Sequence, residues 1–169
     1  ILVKNSATNY DTTWAANVDA RSYFEGYRTQ TIADGGAAST IITFSTTSPD
    51  TVTTSGGTFN ATDYNAGNIV IPTGYSGLYL CHFYIDMPSA VAYTRLFGDF
   101  YTSISGGAVT NRGRFGGPAN TAGTVTDAGF AVSRVLPLAA GDYVQVRLYQ
   151  TSGASRSVKV TATVSRISA

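Results

Sequence analysis

Alternating hydrophobic and polar positions run through most of this sequence of 169 residues and predict a protein built from β-strands. Short runs rich in Val, Ile, Thr, Tyr and Phe recur between clusters of Gly, Pro, Asn and Asp, which is the pattern of an all-β sandwich or barrel. Strands are predicted near residues 21–32, 40–46, 50–54, 68–72, 76–87, 91–104, 128–136, 142–150 and 157–167. So many strands in one chain predict two packed sheets.

Two stretches depart from the strand pattern. Residues 1–20 have no sustained period and contain the only Trp, Trp14. We interpret them as a short irregular N-terminal arm, or as a linker that folds back on its own domain, and expect residues 21–169 to form the domain. Ser105–Asp127 contains seven Gly or Pro among 23 residues, which predicts a long loop, and long loops are usually functional or mobile.

One predicted strand, residues 78–87, has two unlike faces. Side chains alternate between the faces of a strand, so one set is entirely apolar or aromatic and is predicted to be core: Tyr79, Cys81, Phe83, Ile85 and Met87. The other face begins with Leu78, Leu80, His82 and Tyr84. A half-exposed strand would place polar residues there, so we expect this second face to be covered as well.

A second strand, residues 143–149, carries an aromatic and polar face opposite its core-like Val and Leu positions. Tyr and Arg with scattered apolar residues, and few Lys or Glu, are typical of subunit interfaces. The residues predicted to lie in a self-association interface are Leu80, His82, Tyr84, Tyr143, Arg147 and Tyr149. The alternative is that a loop or the N-terminal arm covers these faces.

The composition argues against several classes of protein. Charged residues are 12% of the chain and aromatic residues also 12%, whereas disorder needs high charge and few aromatics. A formal net charge of +1 implies no strong attraction to nucleic acid. No apolar run approaches the ~18–20 residues that span a bilayer, so we expect no membrane insertion.

Candidate catalytic chemistry is sparse. Cys81 and His82 are neighbours, and a strand places neighbours on opposite faces, so they cannot form a nucleophile pair without distortion. His82 is the only His, and no metal-binding or cofactor-binding motif occurs. We therefore expect no enzyme, no cofactor and no metal.

Arg112, Arg114 and Phe115 are the best candidates for surface recognition. Two arginines beside an aromatic ring offer hydrogen-bond forks and a stacking surface to a polyanion or a sugar. The alternatives are a solvated loop whose arginines serve solubility, or a loop that fits a neighbouring subunit.

Two segments resemble the C1q/TNF-like jelly roll. NIVIPTGYSGLYLCHFYI at residues 68–85 is similar to that family's strand, Pro-containing turn and long buried strand. LPLAAGDYVQVRL at residues 136–148 is similar to its Leu-x-x-Gly-Asp-x-Val step before a late strand. The resemblance covers residues 30–167 and implies a jelly-roll sandwich that forms a homotrimer. The family's collagen-like stem is absent from this sequence, so an immune or cytokine role is not implied.

The first 16 residues, ILVKNSATNYDTTWAA, resemble a peptide common in bacteriophage tail-fibre and other virion proteins. The positions that fit it are Leu2, Lys4, Ser6, Thr8, Tyr10, Asp11, Thr12 and Trp14. In such proteins the peptide joins a stem to a trimeric head, so the resemblance implies that Tyr10 and Trp14 help to anchor the head to the particle.

Together the resemblances imply a homotrimeric virion protein on the surface of a phage particle. As a tail-fibre or minor tail component it would present loops to a host cell-surface glycan or protein. As a capsid decoration or head-fibre protein it would instead contact other virion proteins. A carbohydrate-binding module or adhesin is a further alternative, and a polysaccharide hydrolase is the last.

Overall fold

A computed structural model describes residues 2–4, 12–14, 22–35, 39–46, 51–88, 95–103, 107–116 and 127–168. Almost all regular structure in these ranges is β-strand, so the all-β prediction is confirmed. The elements are β1 Leu2–Lys4, β2 Thr12–Trp14, β3 Tyr23–Ile32, β4 Thr40–Ile41, β5 Thr51–Ser55, α1 Ala61–Asn65, β6 Ile69–Val70, β7 Gly77–Pro88, β8 Arg95–Ser103, β9 Val109–Gly116, β10 Asp127–Leu138, β11 Tyr143–Thr151 and β12 Arg156–Ser168. The described ranges contain no helix long and apolar enough to cross a membrane.

Two antiparallel sheets form the body of the domain. Sheet 1 has the order β10-β7-β12-β3-β5. Sheet 2 has the order β4-β11-β8-β9, and β6 also pairs with β11. Strands β7 and β10 pair over their whole length, from Gly77 opposite Leu138 to Pro88 opposite Asp127.

The core lies between the two sheets and comes from one face of each long strand. The five residues of β7 predicted to be core are all buried, so the face assignment of that strand is confirmed. Sheet 2 contributes Val144, Val146 and Leu148, which are also buried. Aromatic rings join the layers: the Phe83 ring of β7 lies 5.4 Å from the Phe100 ring of β8.

The predicted long loop at 105–127 is wrong over its central part. Residues 109–116 form β9, which pairs with β8 at the edge of sheet 2, while residues 104–106 and 117–126 lie outside the described residues. The register shifts between Phe100 and Tyr101, opposite a glycine at 113 with φ +142°. Glycine within a strand often marks such a bulge, so a residue that indicates a turn in the sequence here belongs to a bent edge strand.

The strand predicted at 68–72 is limited to Ile69–Val70, and the strand predicted at 40–46 is limited to Thr40–Ile41 because its backbone then leaves sheet 2. After β4, the Ile42 amide still donates to the Val146 carbonyl, but the Phe44 amide donates to the Tyr64 carbonyl of α1. This short helix was not predicted; Asn60 caps it by accepting a hydrogen bond from the Thr62 amide. Gly67 follows it with φ +89°, and a Cβ there would lie 2.4 Å from Cγ2 of Ile41, so only glycine fits.

The N-terminal arm is less irregular than predicted. Its two described segments, β1 and β2, pair antiparallel with Leu2 opposite Trp14. Both segments contain the β-branched or aromatic residues that favour strands, but each is only three residues long, too short for alternation to be visible in the sequence.

Candidate functional site

The outward face of β7 and β10 carries a largely apolar surface, here called the β7–β10 face. Its largest members are Leu78, Leu80, Tyr84 and Val135, exposed to 40%, 37%, 43% and 55%. Register places Leu80 directly opposite Val135, and Leu78 opposite Pro137. Single exposed apolar side chains are ordinary, but contiguous ones mark interaction sites, so this face is the strongest candidate for a contact surface.

A polar pair lies in the middle of this face. Nδ1 of His82 lies 2.8 Å from Oγ of Ser133, its cross-strand neighbour on β10. On the other side of β7, His82 faces Thr163 of β12. The pair adds directional hydrogen-bonding groups to a surface that is otherwise largely apolar.

Tyr84 lies flat across β10 because the neighbouring strand has a glycine there. A Cβ at Gly129 would lie 2.6 Å from the Tyr84 hydroxyl oxygen. Sequence reasoning missed this glycine, and it also missed Val135. Both residues can be assigned to this face only from the pairing of β10 with β7, which the pattern of a single strand does not reveal.

The remaining predicted interface residues, Tyr143, Arg147 and Tyr149, lie on β11 of the other sheet. They alternate with the buried Val144, Val146 and Leu148, so they face outward from sheet 2. The structure thus does not bring the six predicted residues together: three lie on each of two opposite faces of the sandwich.

Residues on opposite faces of one sandwich do not form a single patch. A contact between the front of one subunit and the back of the next is heterologous, and it forms a ring only if the rotation between the subunits closes; otherwise it forms an open stack. A trimer interface that uses Leu80, His82 and Tyr84 therefore leaves the outward face of sheet 2 for another role.

The predicted recognition residues are divided in a similar way. Arg114 forms a two-pronged ion pair with Asp99 of β8, at 2.9 Å from Nε to Oδ1 and 3.1 Å from Nη2 to Oδ2. Its guanidinium also lies 3.8 Å from the centre of the Phe97 ring. The hydrogen bond to Asp99 raises the pKa of Arg114 above its ordinary value. Arg114 therefore holds β9 to β8.

Phe115 and Arg112 also belong to β9, but they make their contacts on the side of the strand opposite to Arg114. The Phe115 ring lies 5.7 Å from the Phe130 ring of β10 and covers Gly98, where a Cβ would lie 2.4 Å from the ring. Nε of Arg112 donates to Oγ1 of the buried Thr102 at 2.7 Å. These three residues do not form one exposed recognition surface.

The other candidates add little chemistry. Cys81 is buried, and burial raises the pKa of its thiol to about 12; it lies on the core side of β7, opposite to His82, as the alternation predicts. Among the predicted anchoring residues, Trp14 belongs to β2, and Tyr10 lies outside the described residues.

Comparisons with known proteins identify structures that share this fold. No protein-family model and no curated protein sequence matches the chain. The globular domain of zebrafish complement 1qA protein is 15% identical and superposes over 84% of this chain and 94% of its own, with a TM-score of 0.50. PRD1 vertex protein P5 is 16% identical and superposes over 88% of this chain and 99% of its own, with a TM-score of 0.55. The chain therefore has the C1q-type jelly-roll fold that two of its sequence segments resemble.

Proposed function

We propose that the chain is a structural protein of a phage particle that forms a homotrimer through the β7–β10 face and presents its other surfaces outward. The observation that carries this proposal is the exposed apolar surface of Leu78, Leu80, Tyr84 and Val135. About 1.5–3 kcal/mol is gained by fully burying one large apolar side chain. Because these four are already about half covered, their complete burial contributes roughly 4 kcal/mol per subunit.

The geometry of the domain is compatible with a closed ring. The edge formed by β9 and β10, where Phe115 contacts Phe130, lies at an angle to the β7–β10 face. An edge of one subunit packed against the face of the next subunit is a heterologous contact, and such contacts form a ring of three when each contact rotates the next subunit by one third of a turn. The homotrimer that the sequence resemblance implies is compatible with this arrangement.

Two independent likenesses support a place in a virion. The N-terminal residues 1–16 resemble a peptide of phage fibre proteins, and the folded domain is similar to PRD1 vertex protein P5. The peptide favours a tail-fibre or minor tail component. The likeness to the vertex protein favours a second candidate, a decoration or fibre on the capsid. Either candidate would present the domain on the surface of the particle.

Antibody labelling of intact particles tests the proposal and separates the two candidates. Gold-labelled antibody raised against the domain is expected to mark particles of the phage that encodes it, either at the tail or at the capsid vertices. An absence of the protein from purified particles, in samples where a known coat protein is detected, would exclude a virion role.

A further inference from the structure

The outward face of sheet 2 carries more positively than negatively charged side chains among its described residues. Alternation from the buried Leu96 and Phe100 places Arg95 and Asp99 of β8 on this face, together with Arg114 and Arg147. Asp99 is the one carboxylate among these four residues, and it forms an ion pair with Arg114. Asp99 is also the direct cross-strand neighbour of Arg147, so it lies between two arginines. Among these named residues three arginines face one carboxylate, which leaves this part of the face with an excess of positive charge.

Arg147 is held in position by a relay of hydrogen bonds. Its Nε donates to Oε1 of Gln145 at 2.6 Å, and Nε2 of Gln145 donates to Oδ1 of Asn68 at 2.8 Å. Gln145 is buried, so its amide has one orientation that satisfies both partners. The relay thereby fixes the plane of the Arg147 guanidinium.

An aromatic ring supports the same guanidinium from below. Cζ of Arg147 lies 4.3 Å from the centre of the Tyr101 ring, and Tyr101 is the cross-strand neighbour of Gln145. With Nε engaged and one face stacked, the terminal nitrogens of the guanidinium remain for an external acceptor. A fixed planar fork is the geometry that binds a carboxylate or phosphate through two parallel hydrogen bonds.

The surroundings of this fork match a sugar polymer better than an isolated anion. Tyr143, Tyr101 and Tyr149 are half-buried along β11 and β8, and they combine an apolar ring with a polar hydroxyl. Exposed Asn111 lies opposite Tyr101 on β9 and adds an amide that can bind sugar hydroxyls. This polar and aromatic surface extends along the strands and can accommodate several units of an extended chain.

We propose that the outward face of sheet 2 binds an anionic surface polysaccharide, with Arg147 as the residue that binds its acidic groups and Arg95 as a secondary contact. The inference rests on the proposed function, since a trimer closed through the β7–β10 face leaves sheet 2 exposed on the outside of the assembly. The excess of arginines over carboxylates among the described residues of this face matches the negative charge of such a polymer.

Binding by the intact chain tests this proposal directly. Affinity electrophoresis and calorimetry would use polygalacturonate as a carboxylate polymer and poly(glycerol phosphate) teichoic acid as a phosphate polymer, with neutral dextran as the control. Binding to at least one anionic polymer is expected, weakening as salt increases; the polymer that binds identifies the acidic group.

Matched variants assign the contact to this face. Arg147→Gln is expected to weaken binding about tenfold or more, and Arg147→Lys, which keeps the charge and loses the fork, several-fold. Arg95 is exposed, so Arg95→Gln tests this face without disturbing the hydrogen bonds that hold Arg147. We expect this variant to bind about two- to fivefold more weakly. Lys159→Gln removes the same charge from the outward face of sheet 1 and should change the affinity by less than about twofold.

The proposal is overturned if the chain binds neither anionic polymer, if dextran binds equally well, or if Lys159→Gln weakens binding as much as Arg147→Gln. The mass of the assembly is measured in the same samples. A trimer that fails to bind contradicts this inference alone, whereas a monomer contradicts the proposed assembly.

Discussion

Replacing Arg114 by alanine tests the role of β9 as part of sheet 2. The substitution removes both hydrogen bonds to Asp99 and the contact with Phe97. Asp99 has a side-chain exposure of only 6%, so its carboxylate would remain in a largely buried position without its ion-pair partner. Removing one partner of a buried pair costs more than the pair itself contributes.

The expected loss is about 2–3 kcal/mol in the free energy of unfolding. Hydrogen bonds to charged groups contribute about 1.5–3 kcal/mol each, but the Arg114 side chain is 61% exposed, so water screens the interaction and replaces part of it. For a domain of this size, such a loss lowers the melting temperature by roughly 5–10 °C.

Urea unfolding followed by circular dichroism measures this loss, with all variants at one protomer concentration because assembly contributes to stability. Arg95→Ala is the control, since it removes an exposed arginine from the neighbouring strand and should cost less than about 0.5 kcal/mol. The double variant Asp99→Asn, Arg114→Ala should recover part of the loss, because no buried charge remains. If Arg114→Ala were as stable as the control, β9 would be a dispensable loop and the assignment to sheet 2 would be refuted.

Three further predictions concern the core and the assembly face. Phe83→Ala should lower the free energy of unfolding by about 3–5 kcal/mol, measured by the same urea assay; a loss below about 1 kcal/mol would mean that the faces of β7 are reversed. Cys81 should resist a disulfide reagent at pH 8 in the folded protein and react after unfolding, because its pKa of about 12 keeps the thiol protonated and burial blocks access; rapid labelling of folded protein would contradict this burial. Tyr84→Asp and Leu80→Asp should abolish assembly at micromolar concentration while Lys159→Asp does not, since a charge buried in an apolar interface costs several kcal/mol; equal trimer content in the three variants, measured by sedimentation, would disprove the interface.

The faces of individual strands were predictable because alternation is a local property. The buried and outward sets of β7 follow directly from the sequence, and the same holds for β11. The partition of strands between sheets was not predictable, because it depends on long-range pairing. Grouping Tyr84 with Tyr149 in one interface was therefore reasonable from pattern alone, although the structure places them on opposite sides of the sandwich.

The glycine-rich segment shows a second limit of sequence reasoning. Gly98 makes room for the Phe115 ring, and the glycine at 113 occupies a bulge. Both uses depend on the neighbouring strand, whereas in the sequence a high glycine content indicates turns. The ion pair between Arg114 and Asp99 was hidden for the same reason, since the two residues lie 15 positions apart.

The mass of the protein in solution tests the central claim most directly. Light scattering coupled to size-exclusion chromatography at micromolar concentration should give about 53 kDa, three times the 17.7 kDa of one chain. The exposed apolar surface of β7 and β10 predicts self-association, and the proposed homotrimer sets this mass. A mass of 17.7 kDa at that concentration would contradict an assembly through the β7–β10 face.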